Sequence, residues 1–247
     1  MRTGVNLFTL RDVDEPLPRV LERVADAGYD GVEFLHRLPD ADTAAVVDAL
    51  DRTGLAVPGA HLGPFVSLPE LPAELDRTID LYEAVGCEAL AASIGEERLE
   101  SRASIRETAA RLEELAARAV ERDIQFLYHN HYWEFRPLDG STPFDILLDS
   151  LDERVGVELD AGWVAAGGDD PVERIHSLGD RVEILHVKDV DVARKASVEV
   201  GTGDVDLAAC VEAARTEEVE WYVYEHDEPD DPLNSLDRGA AFLDRLR

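Results

Sequence analysis

The sequence predicts an α/β fold, a (β/α)8 or TIM barrel formed by one domain over residues 1–247, and three observations carry the prediction. Short apolar runs alternate with amphipathic segments eight times. A chain of 247 residues suits one barrel, and no linker or low-complexity stretch divides it. Four of the apolar runs end in a residue that can bind a metal or move a proton: 124–128 in His129, 155–159 in Asp160, 182–185 in His186 and 221–224 in Glu225. In a parallel barrel neighbouring strand ends converge on one mouth.

The elements follow in order. Residues 3–8 read as a strand, and 16–27 has helical spacing with proline near its start and Gly28 at its close. A short strand over 31–34 carries Glu33, a helix over 41–53 stops at Gly54, and a strand over 55–60 ends in His61. The segment 70–85 is amphipathic up to Gly86, 89–92 is a fourth strand, and 101–122 a long helix. The fifth strand is the apolar part of IQFLYHNHYWEF, 124–135. A helix over 142–151 takes Thr142 or Ser141 as its cap, and Asp170 with Pro171 opens another that runs to Leu178. Strands over 155–159 and 182–187 are the sixth and seventh. The polar, glycine-rich segment 189–204 reads as a loop over the mouth. A helix over 206–215, a strand over 221–224 and a helix over 233–246 complete the chain.

Composition limits the function. With 54 acidic and 24 basic residues the formal charge is −30, which repels phosphate backbones and anionic membranes, so neither nucleic acid nor a membrane is expected as a partner. No apolar run has the length of a membrane span or a signal peptide, and a cytoplasmic setting is expected. Cys87 and Cys210 lie far apart without metal-type spacing, so no disulfide framework is expected. Lys188 and Lys195 are the only lysines; an acidic, lysine-poor surface fits a halophilic protein of a salty cytosol. The sequence is also compatible with a homo-oligomer.

Each candidate site residue has a plainer role beside its chemical one. Asp160, in VELDAGW, suits a hard metal ligand and equally a helix cap. His186, in ILHVKD, suits a ligand or a hydrogen-bonded core histidine. Glu225, in YVYEHD, suits a ligand or a surface charge. Strand alternation sends His129 and His131 to one side and Asn130 to the other, so both histidines can face the mouth. Glu134 lies further along the loop and has to fold back to reach it. Glu33 and His61 also stand at strand ends, and Trp163 offers a platform for a sugar face or packing for the next helix. Imidazoles with carboxylates suit a divalent ion, Mn2+, Zn2+, Co2+ or Mg2+.

These stretches resemble the xylose isomerase-like TIM-barrel superfamily, in its sugar phosphate isomerase/epimerase group. GYDGVEF (28–34), GAH (59–61), YHNHYWEF (128–135), ELDAGWVAAGGDDP (158–171), ILHVKD (184–189) and YEHD (224–227) carry the resemblance over nearly the whole chain. It implies a metal held by a carboxylate after strand five, by Asp160, His186 and Glu225, with the first and last carboxylates as an acid/base pair. The sequence departs at the first position, where His129 stands in place of the glutamate of many relatives; Glu134 is then the expected fourth ligand. Glu225, Glu134, His129 and His131 form the catalytic set, and Glu33, His61, Trp163 and Lys188 the substrate-binding set. The expected activity is that of a metal-dependent isomerase or epimerase working on a small sugar or keto-polyol through an enediolate. The alternatives are an inosose dehydratase-like lyase, a type IV apurinic endonuclease-like enzyme and a non-catalytic sugar-binding barrel.

Overall fold

The computed structural model describes residues 1–63 and 75–247. Eight parallel strands form one sheet: β1 Arg2–Asn6, β2 Gly31–Glu33, β3 Ala60–His61, β4 Ala89–Ala92, β5 Gln125–His129, β6 Gly156–Asp160, β7 Val182–Val187 and, at its end in sequence, β10 Trp221–Tyr224. Their order is β2-β1-β10-β7-β6-β5-β4-β3. The edges meet through Phe34, which donates to Gly59 O at 3.2 Å and accepts from His61 N at 2.8 Å. This short ladder closes the sheet into an α/β barrel, as expected.

Helices alternate with the strands, and their starts are written locally. α1 (Leu17–Asp26) buries Leu17, Val20, Leu21 and Val24, the spacing of one helical face. α2 (Thr43–Thr53) is capped by the Asp42 side chain and ends at Gly54, whose φ of 72° a β-carbon would strain. α3 is described over Leu75–Ala84; the first part of the helix expected from residue 70 lies outside the described residues. Ser101 and Ser104 form a capping box for α4 (Arg102–Val120), and Thr142 caps α5 (Pro143–Leu148). α6 (Ala161–Ala166) starts directly from Asp160 and is not legible as a separate periodic segment. α7 (Pro171–Leu178) opens on the expected Asp170 cap, and α8 (Leu207–Thr216) and α9 (Pro232–Leu246) complete the ring.

Two expectations are corrected. The third strand, expected over 55–60, forms only at Ala60–His61, with an isolated bridge at Ala56 before it. The segment expected as a loop contains an antiparallel hairpin, β8 Asp189–Asp191 with β9 Ala196–Val198. The buried Asp189 carboxylate organises the chain beyond this hairpin, accepting from the backbone N–H of Gly201 at 2.8 Å and Gly203 at 2.9 Å. A polar composition hid both the hairpin and the turn that one side chain holds after it.

The interior of the barrel is layered by strand alternation. Ala89, Ala91, Leu127, Ile184, Trp221 and Val223 pack together as an apolar plug toward the N-terminal strand ends. Gly31 makes room for it, since a β-carbon there would lie 2.7 Å from the Trp221 ring. Above the plug, inward positions turn polar: Glu33, His61, His129, Glu158 and His186 are all buried. The larger apolar core lies outside the sheet, between strands and helices. Cys87 and Cys210 are buried free thiols. Among the described residues no helix is long and apolar enough to cross a membrane.

Candidate metal centre

A hollow of about 260 Å3 opens at the C-terminal mouth, lined by Phe8, Leu35, His61, Ser93, His129, His131, Trp133, Trp163, Lys188, Glu225 and Asp227. A larger one, about 400 Å3, lies at the opposite end among Glu88, Glu183, Glu217 and Trp221. No imidazole lines that second hollow, so the convergent strand-end chemistry belongs to the first.

Sheet register puts the key residues side by side. His129 pairs with Glu158, Asp160 with His186, and His186 with Val223, two residues before Glu225. His129, Asp160, His186 and Glu225 offer ligand atoms that all lie within 4.8 Å of one another, and all four are buried. Asp160 fills both of its expected roles. Its Oδ1 accepts from Trp163 N at 2.9 Å as the cap of α6, while Oδ2 accepts no hydrogen bond and has the Lys188 ammonium 3.1 Å away. Asn130, on the opposite side from the histidines, locks β5 to β6: its Oδ1 accepts from Asp160 N at 2.9 Å and its Nδ2 donates to Asp160 O at 3.2 Å.

A second layer lies beneath. Glu158 Oε1 is 2.8 Å from His61 Nε2, 2.7 Å from His129 Nδ1 and 3.2 Å from His186 Nε2. Glu33 Oε2 is 2.7 Å from His186 Nε2 and accepts from Asn6 Nδ2 at 2.7 Å. Gly59 leaves room for Glu33, because a β-carbon would come within 2.8 Å of its Oε1. His61, His129, Glu158 and His186 form a second group whose ligand atoms lie within 4.8 Å.

Burial and neighbouring charge pull the acids apart. Burial and the charge of Glu158 raise Glu33, whereas burial of Glu158 is outweighed by His186 and His61, which hold it at about 2. Burial pushes Asp160 up to about 6, against the pull of Lys188 and His186. Burial also opposes charge on Glu225, but Lys188 and His186 keep it well below the usual carboxylate range. Lys188 is buried among three carboxylates, 3.1 Å from Asp160, 3.1 Å from Glu225 and 2.8 Å from Asp227, and these overcome burial to raise its pKa.

Most of the expected site residues meet here. His129, His131, His61, Trp163, Lys188 and Glu225 line the pocket, and Asp160 and His186 stand against it. His131 stacks on Trp133 with ring centroids 4.4 Å apart and planes 10° apart, an aromatic wall continued by Trp163. Glu33 is not in the lining; it sits below, against His186. Glu134 does not fold back into either group. Its Oε1 accepts from the Tyr128 hydroxyl at 2.7 Å and its Oε2 from His131 N at 2.8 Å, as part of the turn after β5. A turn of four residues uses that carboxylate to cap its own backbone, which directs it away from the mouth.

Sequence reading missed Glu158, Ser93 and Asp227. For Glu158 the signal was present: it is a charge inside an apolar run, two residues before Asp160, and alternation places both on one face. Asp227 stands two residues after Glu225, past the end of the strand, where alternation gives no signal. Ser93 carried no signal.

The donor set fits a divalent ion. Two imidazoles and two carboxylates converge, buried, beside an open pocket, and the Asp160 oxygen not used in capping α6 faces only the Lys188 ammonium, 3.1 Å away.

A parallel eight-stranded barrel with imidazoles and carboxylates gathered at its C-terminal mouth defines a class of (β/α)8 protein. The chain belongs to the xylose isomerase-like TIM barrel family, whose model matches residues 21–246. It is 27% identical over 201 residues to the rhizopine catabolism protein MocC of Rhizobium meliloti, covering 74% of this chain but 61% of that protein, less than two thirds of its length. In fold it is similar to a sugar phosphate isomerase/epimerase of Parabacteroides distasonis, with TM-score 0.85, 18% identity and 99% and 98% of the two chains covered. It is also similar to the IolI protein with a bound zinc atom, with TM-score 0.82, 16% identity and 100% and 98% covered.

Proposed function

We propose that this barrel is a divalent-metal-dependent isomerase or epimerase of a small, unphosphorylated sugar or keto-polyol, with the ion held by His129, Asp160, His186 and Glu225. The observation that carries the reading is the convergence of these four buried side chains beside a pocket of about 260 Å3 walled by Trp133, Trp163 and His131. A bound divalent ion supplies Lewis acidity at a substrate carbonyl and its neighbouring hydroxyl. The aromatic wall suits the C–H face of a polyol, and Ser93 and Asp227 suit its hydroxyls. Glu225, kept ionised by Lys188 and His186, is the candidate to take a proton from the carbon beside the carbonyl. His131 and Lys188, both in the lining, are the candidates to return one. The names of the sugar phosphate isomerase/epimerase and of zinc-bearing IolI support the same chemistry.

A lyase of the dehydratase kind is the second reading, and Lys188 is what favours it. A buried ammonium 2.8 Å from Asp227 in the pocket wall is suited to donate a hydrogen bond to a departing β-hydroxyl and stabilise its developing charge. The charge of −30 argues against a nucleic-acid substrate.

The test is turnover of a panel of free ketoses, aldoses and keto-inositols by protein treated with chelator and reloaded with Mn2+, Co2+, Zn2+ or Mg2+. Interconversion of isomers that requires the ion supports the proposal. Ion-dependent loss of water from the substrate selects the second reading, and ion-independent turnover or none contradicts both.

A further inference from the structure

The two groups of ligand-type side chains share His129 and His186. An imidazole has two nitrogens, and in its neutral form one carries a proton and the other a lone pair. Each shared ring therefore serves an ion in one group only; for His129 a single carboxylate contact indicates which, while His186 faces a carboxylate with each nitrogen, the shorter contact being at Nε2. His129 turns Nδ1 to Glu158 Oε1 at 2.7 Å. His186 turns Nε2 to Glu33 Oε2 at 2.7 Å and Nδ1 to Glu225 Oε2 at 2.9 Å.

We propose that Glu158 and Glu33 are positioning residues for the metal ligands proposed above. Glu158 fixes the His129 proton on Nδ1 and frees Nε2, and Glu33 fixes the His186 proton on Nε2 and frees Nδ1. Asn6 braces Glu33, and His61 braces Glu158 from 2.8 Å. Neither carboxylate lines the pocket, so neither is placed to touch substrate. Stability alone does not call for them, because buried charges are costly and the layer directly below is filled with Leu127, Ile184 and Val223. Carboxylates that accept from ligand imidazoles lock ring orientation and raise ligand basicity, and losing such a partner typically costs about 10- to 100-fold in metal affinity.

The inference rests on the metal reading, and one experiment separates the two. Zinc affinity is measured by competition with a chromogenic chelator for the full chain and for Glu158→Gln, Glu158→Met and Glu33→Gln. Long-range 1H–15N correlation of the zinc-loaded wild type reports which ring nitrogen of each histidine holds its proton. The expected pattern is a proton on Nδ1 of His129 and on Nε2 of His186. Glu158→Met should bind zinc about 10- to 100-fold more weakly, and Glu158→Gln, which keeps an acceptor for His129, should lose less. If Glu158→Met does not fold by circular dichroism, the wild-type tautomers and the glutamine variants decide. Protons on the opposite nitrogens would place the ion in the deeper group and overturn the inference. Unchanged affinity in every folded variant would overturn it alone. A wild type that binds no zinc would overturn the metal reading and this inference with it.

Discussion

His129 on β5 and Glu158 on β6 stand at matching register, with Nδ1 and Oε1 2.7 Å apart. The pair gives the proposed metal site a ligand on its fifth strand without a carboxylate there. A buried glutamate one strand over holds the imidazole by one nitrogen and leaves the other for the mouth. Glu134, held by Tyr128 and the His131 backbone, caps the turn instead.

That geometry moves the proposed fourth ligand from Glu134, expected from sequence, to His129. Glu134→Gln is predicted to keep its metal, while His129→Asn and Asp160→Asn lose it, with affinity falling by at least about tenfold. Elemental analysis after gel filtration of the three variants checks this. Metal lost from the Glu134 variant and kept by the His129 variant would restore Glu134 as the ligand.

Glu134 has a second consequence. Burial raises its pKa from 4.5 to about 8 despite the two hydrogen bonds it accepts. Between these values the unfolded chain has released the proton and the folded chain keeps it. Rising pH therefore favours the unfolded state across this window. Metal-free protein is predicted to lose stability from about pH 5 to about pH 8, and Glu134→Gln to lose less. Urea unfolding across that range measures both, and parallel curves for the two proteins would contradict the prediction.

Much of the fold could be read from sequence because strand alternation, helix caps such as Asp42 and Asp170, and stops such as Gly54 act within a few residues. The four strand-end residues His129, Asp160, His186 and Glu225 were legible for the same reason. The features that escaped depend on contacts distant in sequence. Glu158 makes sense only beside His61, His129 and His186 from three other strands. The chain beyond the hairpin depends on Asp189 gathering N–H groups from residues 12 and 14 positions later. The direction of Glu134 is decided by Tyr128, whose hydroxyl is buried behind the strand.

The acid excess sets a salt dependence. With 54 acidic against 24 basic residues, carboxylates repel one another at low ionic strength, and the Debye length shrinks to about 3 Å at 1 M salt. The melting temperature is predicted to rise from low to molar KCl. Scanning calorimetry at both ends measures it, and a flat or falling trend would contradict halophilic adaptation.

The pocket is predicted to prefer a free sugar over its phosphate ester. Among the described residues of its lining, Lys188 is the sole lysine or arginine, and three carboxylates already hold it. Arg11 lies over the Phe8 ring and donates to Phe8 O, and Arg136 donates to Leu99 O. A phosphate beside Glu225 and Asp227 meets like charge, so kcat/KM should favour the free substrate by roughly tenfold or more. Paired assays of one sugar with and without its phosphate decide, and a preference for the ester would show that an arginine reorients.

In the proposed site one divalent ion sits among His129, Asp160, His186 and Glu225. Anomalous diffraction at the manganese edge, from crystals grown with Mn2+, tests it most directly. One strong peak bounded by those four side chains is expected, with Glu134 still bonded to Tyr128. A peak bounded by His61 and Glu158 instead, or no peak at the mouth of the barrel, would contradict it.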